Sequence, residues 1–320
     1  MAYSLIGEVN RLKNIKYDIA DAIRDKGVDI PDNAKFNEFN SYIDQIQSGS
    51  GGGSDIGLDL SRSIMLYNGD ELKYSLYSAT GDTYTSLELN NPLMTVDKIN
   101  IGRNITNMVN LFMYSNMLRA NPVCGPNITS MVNTYYNCRN LTGSPVCGDR
   151  VTNMYNTYYY CTNLTGSPIC GNNVTNMSGT YFYCNNITGS PVCGPNVTNM
   201  SGTYSTCQNL IGSPVCGPSV TNMNGTYYYC SNLTGSPVCG PNVTNMSNTY
   251  SSCRNLTGNP VCGDLVINMY QTYSSCDNLT GSPACGDNVT NMYYTYHSCS
   301  NITGNPACGD NVINMEGAYS

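Results

Sequence analysis

The side chains best suited to chemistry are the 17 cysteines, and each belongs to one of two series with a period of 23 residues. Thiols pair as disulfides, close Cys-x2-Cys pairs bind zinc, and an activated thiolate is a nucleophile. A strict period of this length is, however, typical of structural repeats that stack on one another. The first series is Cys124, Cys147, Cys170, Cys193, Cys216, Cys239, Cys262, Cys285 and Cys308. The second series, a predicted structural ladder, is Cys138, Cys161, Cys184, Cys207, Cys230, Cys253, Cys276 and Cys299.

The cysteine pattern leaves two interpretations open. Members of one series would lie about 5 Å apart in a stack, which is within the Cα range of a disulfide. The alternative is a ladder of free thiols. The number of cysteines is odd, free Cys packs well in apolar interiors, and the side chains of one series all point in the same direction rather than at each other. We favour free thiols for the series that begins at Cys138 and leave the series that begins at Cys124 open. The spacings of 14 and 9 residues between the series do not suit zinc, so we expect no metal site.

The only histidine, His297, precedes Cys299 by two residues. A Cys-His pair is one way to activate a thiolate. Cys299 is nevertheless the last member of its series, and the positions equivalent to His297 carry other residue types, such as Tyr136 and Ser205. We therefore expect a solvated histidine, no enzyme activity and no cofactor.

The other repeating positions predict a core. A Met recurs from Met108 to Met315, with Val or Ile three residues before it, an aromatic residue four after it, and Leu or Ile ten after it. We number the units 1 to 10 by this Met. About six inward side chains per unit predict a solenoid of about ten 23-residue coils, roughly 45 Å long.

Recurring Pro and Gly predict a corner in every coil. The series run from Pro122 to Pro306 and from Gly125 to Gly309. Pro fixes φ and Gly permits positive φ, so both residues suit a turn. Asn stands before each Leu and before nearly every Met, where its side chain would form hydrogen-bond ladders that satisfy the turn backbone.

The first hundred residues differ in kind. Residues 1–47 show helical spacing of apolar residues, with Gly27 at a predicted helix end and a second short helix over residues 33–46. Residues 48–54, SGSGGGS, form a flexible linker by composition. Residues 55–100 alternate apolar and polar residues around NGD at Asn68 and TGD at Thr80, which predicts β-hairpins that cap the repeats of residues 101–320.

The repeat resembles that of a known family. Residues 242–257, NVTNMSNTYSSCRNLT, are similar to the unit of BspA-type leucine-rich-repeat surface proteins, and the match recurs in nearly every unit. The resemblance implies a leucine-rich-repeat or β-solenoid-like fold, and an adhesin, a host-binding protein or a phage tail protein. This unit is shorter than the common family unit, and its VCGP segment carries an extra Cys where the family has an aliphatic strand.

A second resemblance lies near the start of the chain. IADAIRDKG at residues 19–27, followed by FNEFNSYIDQI at residues 36–46, resembles a helical module near the start of phage and prophage tail proteins of Gram-positive bacteria. It implies that residues 1–47 attach to other tail or baseplate proteins. An ordinary helical hairpin or a trimerising coiled coil is the alternative.

Composition narrows the function. The net charge is -7 and no lysine follows Lys98, which argues against nucleic acid as a partner. No apolar run is long enough for a membrane span, and the N-terminus lacks the apolar core of a signal peptide. We therefore expect a virion protein that is assembled in the host cytoplasm, with a bacterial surface adhesin as the alternative.

Aromatic residues at positions that vary between units predict the binding surface. Tyr offers rigid amphipathic area suited to saccharides or protein surfaces. We expect a phage receptor-binding or fibre protein that forms a homo-oligomer such as a trimer and recognises a host polysaccharide or protein. A purely structural subunit, in which these rings cover the coil edge or pack against a sister chain, is the third possibility. The candidate residues are Tyr136, Tyr155, Tyr159, Tyr160, Phe182, Tyr183, Tyr228 and Tyr229.

Overall fold

The structure of the protein is a computed structural model. It describes residues 60–78, 95–304 and 307–320, together with residues 16, 19, 20, 23, 24, 28, 30, 31, 33–35 and 38. Regular secondary structure in these parts is sparse, with little helix and one small open antiparallel sheet of order β2-β1-β3. Its elements are a 3-10 turn, Leu60–Arg62, and the strands β1 (Ser63–Asn68), β2 (Glu71–Tyr77) and β3 (Lys98–Ile101).

The hairpin predicted at Asn68 is confirmed. Asn68 pairs with Glu71, and Gly69 between them has a φ of 58°, which glycine adopts without steric cost. The Gly69 N–H donates to the Asp97 carboxylate at 2.9 Å, which ties the turn to the chain before β3. The second predicted hairpin, at Thr80, lies outside the described residues.

The described part of residues 1–47 is too small to test the predicted helices. Lys16, Ile19, Ala20, Ile23 and Arg24 are all helical, as the apolar spacing predicts for the first helix. The remainder of that helix, Gly27, most of residues 33–46 and the linker at residues 48–54 lie outside the described residues.

Consecutive repeat units are hydrogen-bonded to each other through the backbone. Isolated parallel bridges join residues 23 apart, from Asn107 with Ser130 to Asn291 with Asn314. In unit 3, every second N–H from the Met onward donates to a carbonyl of unit 4, at 2.8 to 2.9 Å. The donors are Met154, Asn156, Tyr158 and Tyr160, and the acceptors are Asn176, Ser178, Thr180 and Phe182. Each unit is therefore held in register by its neighbours rather than by regular strands of its own.

One apolar core runs through the repeats and under the sheet. The predicted Val or Ile, Met, aromatic, Cys138-series and Leu positions are fully buried in most units. Ile64 and Leu66 of β1 and Ile99 of β3 belong to the same core. These core positions are confirmed through unit 8; in unit 10, Met315 is 44% and Tyr319 is 38% exposed.

The sequence analysis expected the Gly125 series to supply positive φ at a corner of each coil, and this expectation is wrong. None of these glycines has a positive φ, whereas the series that begins at Gly143 has φ values of 81° to 90°. The Gly125 series is small because of a close approach between units. A Cβ on Gly148 would lie 2.9 Å from Sγ of Cys124, and a Cβ on Gly217 would lie 2.8 Å from Sγ of Cys193.

The expected Asn ladders are confirmed in part. Asn140, before a Leu, donates from Nδ2 to the carbonyl of Asn116 in the preceding unit at 2.7 Å. Asn153, before a Met, instead accepts the N–H of Tyr155 at 2.9 Å, so it closes its own turn. The first Asn position links units and the second shapes one unit.

Candidate functional site

Two long sets of stacked rings run along the repeats. The rings of the first set, the inner ladder, make all their contacts within the fold. It consists of the aromatic residues four positions after each Met. The Tyr158 and Tyr181 rings stack at 5.6 Å, tilted by 9°. The Tyr158 hydroxyl donates to the Val146 carbonyl at 2.8 Å and accepts the Val146 N–H at 3.0 Å. Both faces and the polar tip of such a ring are occupied, which leaves nothing for a ligand.

The second set, the outer rows, consists of the residues five and six positions after each Met. In the first row, Tyr136 and Tyr159 stack at 4.7 Å, and Tyr159 and Phe182 stack at 4.5 Å. In the second row, Tyr160 and Tyr183 stack at 4.6 Å. The Tyr159 and Tyr160 rings are 5.1 Å apart, so the two rows form one patch. The structure thus brings together five of the eight candidate residues.

The remaining three candidates belong to neither row of that contiguous patch. Tyr228 and Tyr229 form a separate pair with ring centres 6.2 Å apart, and they are 40% and 38% exposed. Tyr155 is 41% exposed. Partial burial raises the pKa of Tyr159, and the nearby phenols of Tyr136, Tyr160 and Tyr155 raise it further. Tyr155 therefore borders the patch, although it joins neither row.

The rows are interrupted in unit 5. Ser205 and Thr206 occupy the two outer positions there, between the aromatic pair of unit 4 and that of unit 6. Within the described residues, neither hydroxyl makes a hydrogen bond. The unit 6 pair repeats the geometry of the unit 4 pair, since Phe182 and Tyr183 are 6.3 Å apart and tilted by 31°, against 6.2 Å and 36°.

The second outer row is built on an unfavourable backbone. Tyr160, Tyr183 and Tyr229 have φ values of 60°, 62° and 60°. This left-handed region costs a residue with a Cβ about 1 to 2 kcal/mol, except for Asn and Asp, which tolerate it. The corresponding residue of unit 2 is Asn137, with a φ of 58°. The same φ recurs at Thr206, Ser252 and Ser275, so this strain belongs to the repeat, and the choice of tyrosine in units 3, 4 and 6 is not explained by the local backbone.

The cysteines are 17 free thiols. In the Cys138 series the thiol donates to a carbonyl of the preceding unit, as Cys161 Sγ does to Tyr135 at 3.0 Å. Burial raises the pKa of these thiols well above the ordinary value. The Cys124 series is only partly buried, yet burial raises the pKa of Cys124 and Cys170 to about 12. Neutral thiols of this kind are poor nucleophiles.

The pair of His297 and Cys299 does not bring thiol and imidazole together. The His297 ring packs against Tyr294 at 4.7 Å, and its Nδ1 lies 3.1 Å from Ser298 Oγ. Cys299 instead donates to the Tyr273 carbonyl at 2.9 Å, and burial raises its pKa to about 11. In the part of the chain that the structure describes, no cluster of His, Cys, Asp or Glu is placed to hold a metal ion.

One structural series escaped sequence reasoning. A Thr stands three residues after the Met in units 2 to 9, and its side chain is buried. The Thr180 hydroxyl lies 2.8 Å from the carbonyl of Met154 and 2.7 Å from that of Met177. It therefore satisfies buried backbone in two units. The recurring Thr-Tyr dipeptide was the signal that could have revealed it.

Comparison with known proteins adds no relative. No protein-family model matches the chain, and neither a curated protein nor a solved structure matches it. Among the residues that the structure describes, there is no helix with the length and apolar character needed to cross a membrane.

Proposed function

We propose that the 23-residue units form a solenoid whose outer rows bind a host surface ligand, and that the chain is a phage or prophage tail receptor-binding or fibre protein. The solenoid is supported by the hydrogen bonds between units. Four backbone N–H groups of unit 3 donate to unit 4, and the bridges repeat this register along the chain. A stack of units that contact only their neighbours is what defines a solenoid.

The observation that carries the binding function is the tyrosine placed on left-handed backbone. Tyr160 and Tyr183 are half-buried and Tyr229 is 38% exposed, at a position where Asn137 shows that a residue better suited to this backbone fits. The inner ladder already fills the core, so these outer rings are not needed to complete it. Aromatic faces with hydroxyl tips suit saccharide rings and protein surfaces.

The remainder of the proposal rests on sequence resemblance. The repeats resemble BspA-type units, and residues 1–47 resemble a helical module of tail proteins. In this proposal residues 1–47 bind other tail or baseplate proteins, the chain forms a homo-oligomer such as a trimer, and it resides in the virion. A bacterial surface adhesin would use the same outer rows on a different particle.

Binding of the full chain to intact Gram-positive cells tests the proposal. The test variant is the double substitution Tyr160→Asn and Tyr183→Asn, which removes two half-buried rings of the patch and relieves the backbone. The control variant is Ser252→Asn with Ser275→Asn, at the same backbone position outside the patch, with φ values of 65° and 58°.

We expect saturable binding that the control retains and that the test variant loses by tenfold or more, with both variants folded. Two lost stacking contacts of about 1 to 3 kcal/mol in total give a loss of that order. Equal binding by both variants would place recognition elsewhere. No binding by the unaltered chain to any host would leave the purely structural subunit as the better account.

A further inference from the structure

The gap at unit 5 has the dimensions of one missing ring. Neighbouring rings in the outer rows are 4.5 to 4.7 Å apart. Two units at the strand spacing therefore place the Phe182 ring about 9.5 Å from the Tyr228 ring. The ring pairs of units 4 and 6 share one internal geometry, so a similar aromatic pair stands on either side of unit 5. We call this gap the unit 5 slot.

The floor of the slot is small and polar. Ser205 is only 4% exposed, and its hydroxyl makes no hydrogen bond to another described residue. The contrast with Thr203, two residues earlier, is clear, since its buried hydroxyl lies within 2.9 Å of two Met carbonyls. Beside the floor, Gly202 and Gly225 carry no side chain, and a Cβ on Gly225 would have no neighbour within 4 Å. The open space lies over Gly225, and the buried hydroxyl of Ser205 beside it has no partner among the described residues, so a ligand that enters there could supply one.

The repeat units that form the slot and flank it carry no charged side chain. Between Arg150 and Arg254 the chain contains no Asp, Glu, Lys, Arg or His. An anionic polymer would find no cation near the slot, and such contacts are the main source of affinity for phosphate-rich ligands. The absence of charge favours a neutral ligand that uses ring faces and hydroxyl groups.

We propose that the unit 5 slot binds one pyranose ring of a neutral surface glycan, held between Phe182 and Tyr228 above Ser205 and Thr206. A pyranose has two C–H faces, which pack on the aromatic walls, and an edge of hydroxyls, which reach the floor and the phenols of Tyr183 and Tyr229. A pyranose is thicker than a planar aromatic ring. In the slot its centre would lie about 4.8 Å from the centre of each wall ring, which leaves room for that thickness. This proposal rests on the proposed function and names the class of ligand that the outer rows recognise.

Filling the slot tests the inference without removing any side chain contact. Ser205→Tyr restores the missing ring, and Tyr159 and Tyr228 show that the fold accepts tyrosine at this position. Ser274→Tyr is the matched control, because it adds the same ring at the same position in unit 8, away from the slot. The unfolding midpoint of each variant checks that the chain still folds.

The probes are the neutral and the anionic oligosaccharide pools of Gram-positive cell walls, separated by ion exchange, and binding to the full chain is followed by saturation-transfer NMR. We expect the neutral pool to bind, with an affinity that added salt leaves unchanged. We also expect Ser205→Tyr to weaken binding at least tenfold and Ser274→Tyr to change it less than twofold.

Each other outcome overturns a defined part of the argument. If Ser205→Tyr binds like the unaltered chain while Tyr160→Asn with Tyr183→Asn loses binding, the slot is wrong and the proposed function stands. If the anionic pool binds instead, with an affinity that falls as salt rises, the neutral ligand is wrong. If no pool binds and no host cell binds, both proposals fail.

Discussion

The inner ladder and the outer rows are built from the same side chain at the same spacing, yet they differ in what they leave open. An inner ring such as Tyr204 is stacked on both faces and its hydroxyl is bonded to the Val192 backbone at 2.6 Å. An outer ring such as Tyr228 contacts only Tyr229 among the described rings. Periodicity therefore locates the tyrosines, but the hydrogen bonding of the hydroxyl separates those that build the fold from those that are free to bind.

Alkaline pH should break the inner part of the molecule most severely. Burial raises the pKa of the Cys138-series thiols and of the inner tyrosines well above their ordinary values. The unfolded chain ionises first, so stability is complete below about pH 8 and falls as pH rises past 9, by about 1.4 kcal/mol per thiol per pH unit. Urea unfolding followed by circular dichroism, in the presence of reductant, measures the free energy of unfolding at each pH. An unfolding free energy that stays flat up to about pH 11 would contradict this account.

Truncating one ring from each set should give very different stabilities. Tyr204→Ala removes a ring that is fully buried, and we expect a loss of about 3 to 5 kcal/mol. Tyr228→Ala removes a ring that is 40% exposed, and we expect less than about 1 kcal/mol. Chemical unfolding of both variants makes the comparison. Similar losses would mean that Tyr228 supports the fold and is not held ready for a ligand.

Removing only the hydroxyl sharpens the same contrast. Tyr204→Phe leaves the Val192 N–H and carbonyl without their partner, and a buried group left unpaired costs about 1 to 3 kcal/mol. Tyr228→Phe should be neutral in stability. The shift in the unfolding midpoint gives both values. A neutral Tyr204→Phe would show that water replaces the phenol in the folded state.

The smallest expected effect is a gain in stability rather than a loss. Tyr229→Asn puts a residue suited to left-handed backbone at a φ of 60°, and it gives up only a tilted contact with Tyr228. We expect the free energy of unfolding to rise by up to about 1 kcal/mol. Thermal unfolding tests this expectation. A loss of more than about 1 kcal/mol would show that the ring contributes packing at this position.

Sequence was sufficient for features that repeat as a residue type and insufficient for those that depend on the backbone. Met154, Tyr158 and Cys161 repeat with their chemistry, so their burial followed from the period. The left-handed position two residues after each Met is occupied by Asn or Gly in most units, as at Asn156 and Gly179, and by Gln271 and Tyr294 in units 8 and 9. The position of Tyr160 has the same φ and no such preference, because Tyr, Ser and Thr all occur there.

Thiol burial and the slot could not be read from the sequence for a related reason. Both Cys series have the same period and residue type, but most of the Cys138 series is buried, whereas the Cys124 series is only partly buried beside the glycine of the next unit. Ser205 and Thr206 appear in the sequence as ordinary variable residues. The role proposed for them depends on the rings of units 4 and 6, and these rings come to lie on either side of unit 5 only in the folded chain.

The hydrogen bonds between units also give the molecule a polarity. On the side that bears the rings, each unit presents four N–H groups to the next unit and four carbonyls to the previous one. A row of four donors finds a matching row of acceptors only on the opposite face of another unit. Joining two copies through these rows is therefore head-to-tail, which is open-ended rather than closed. A closed homo-oligomer therefore has to be held by other surfaces of the chain than these two rows.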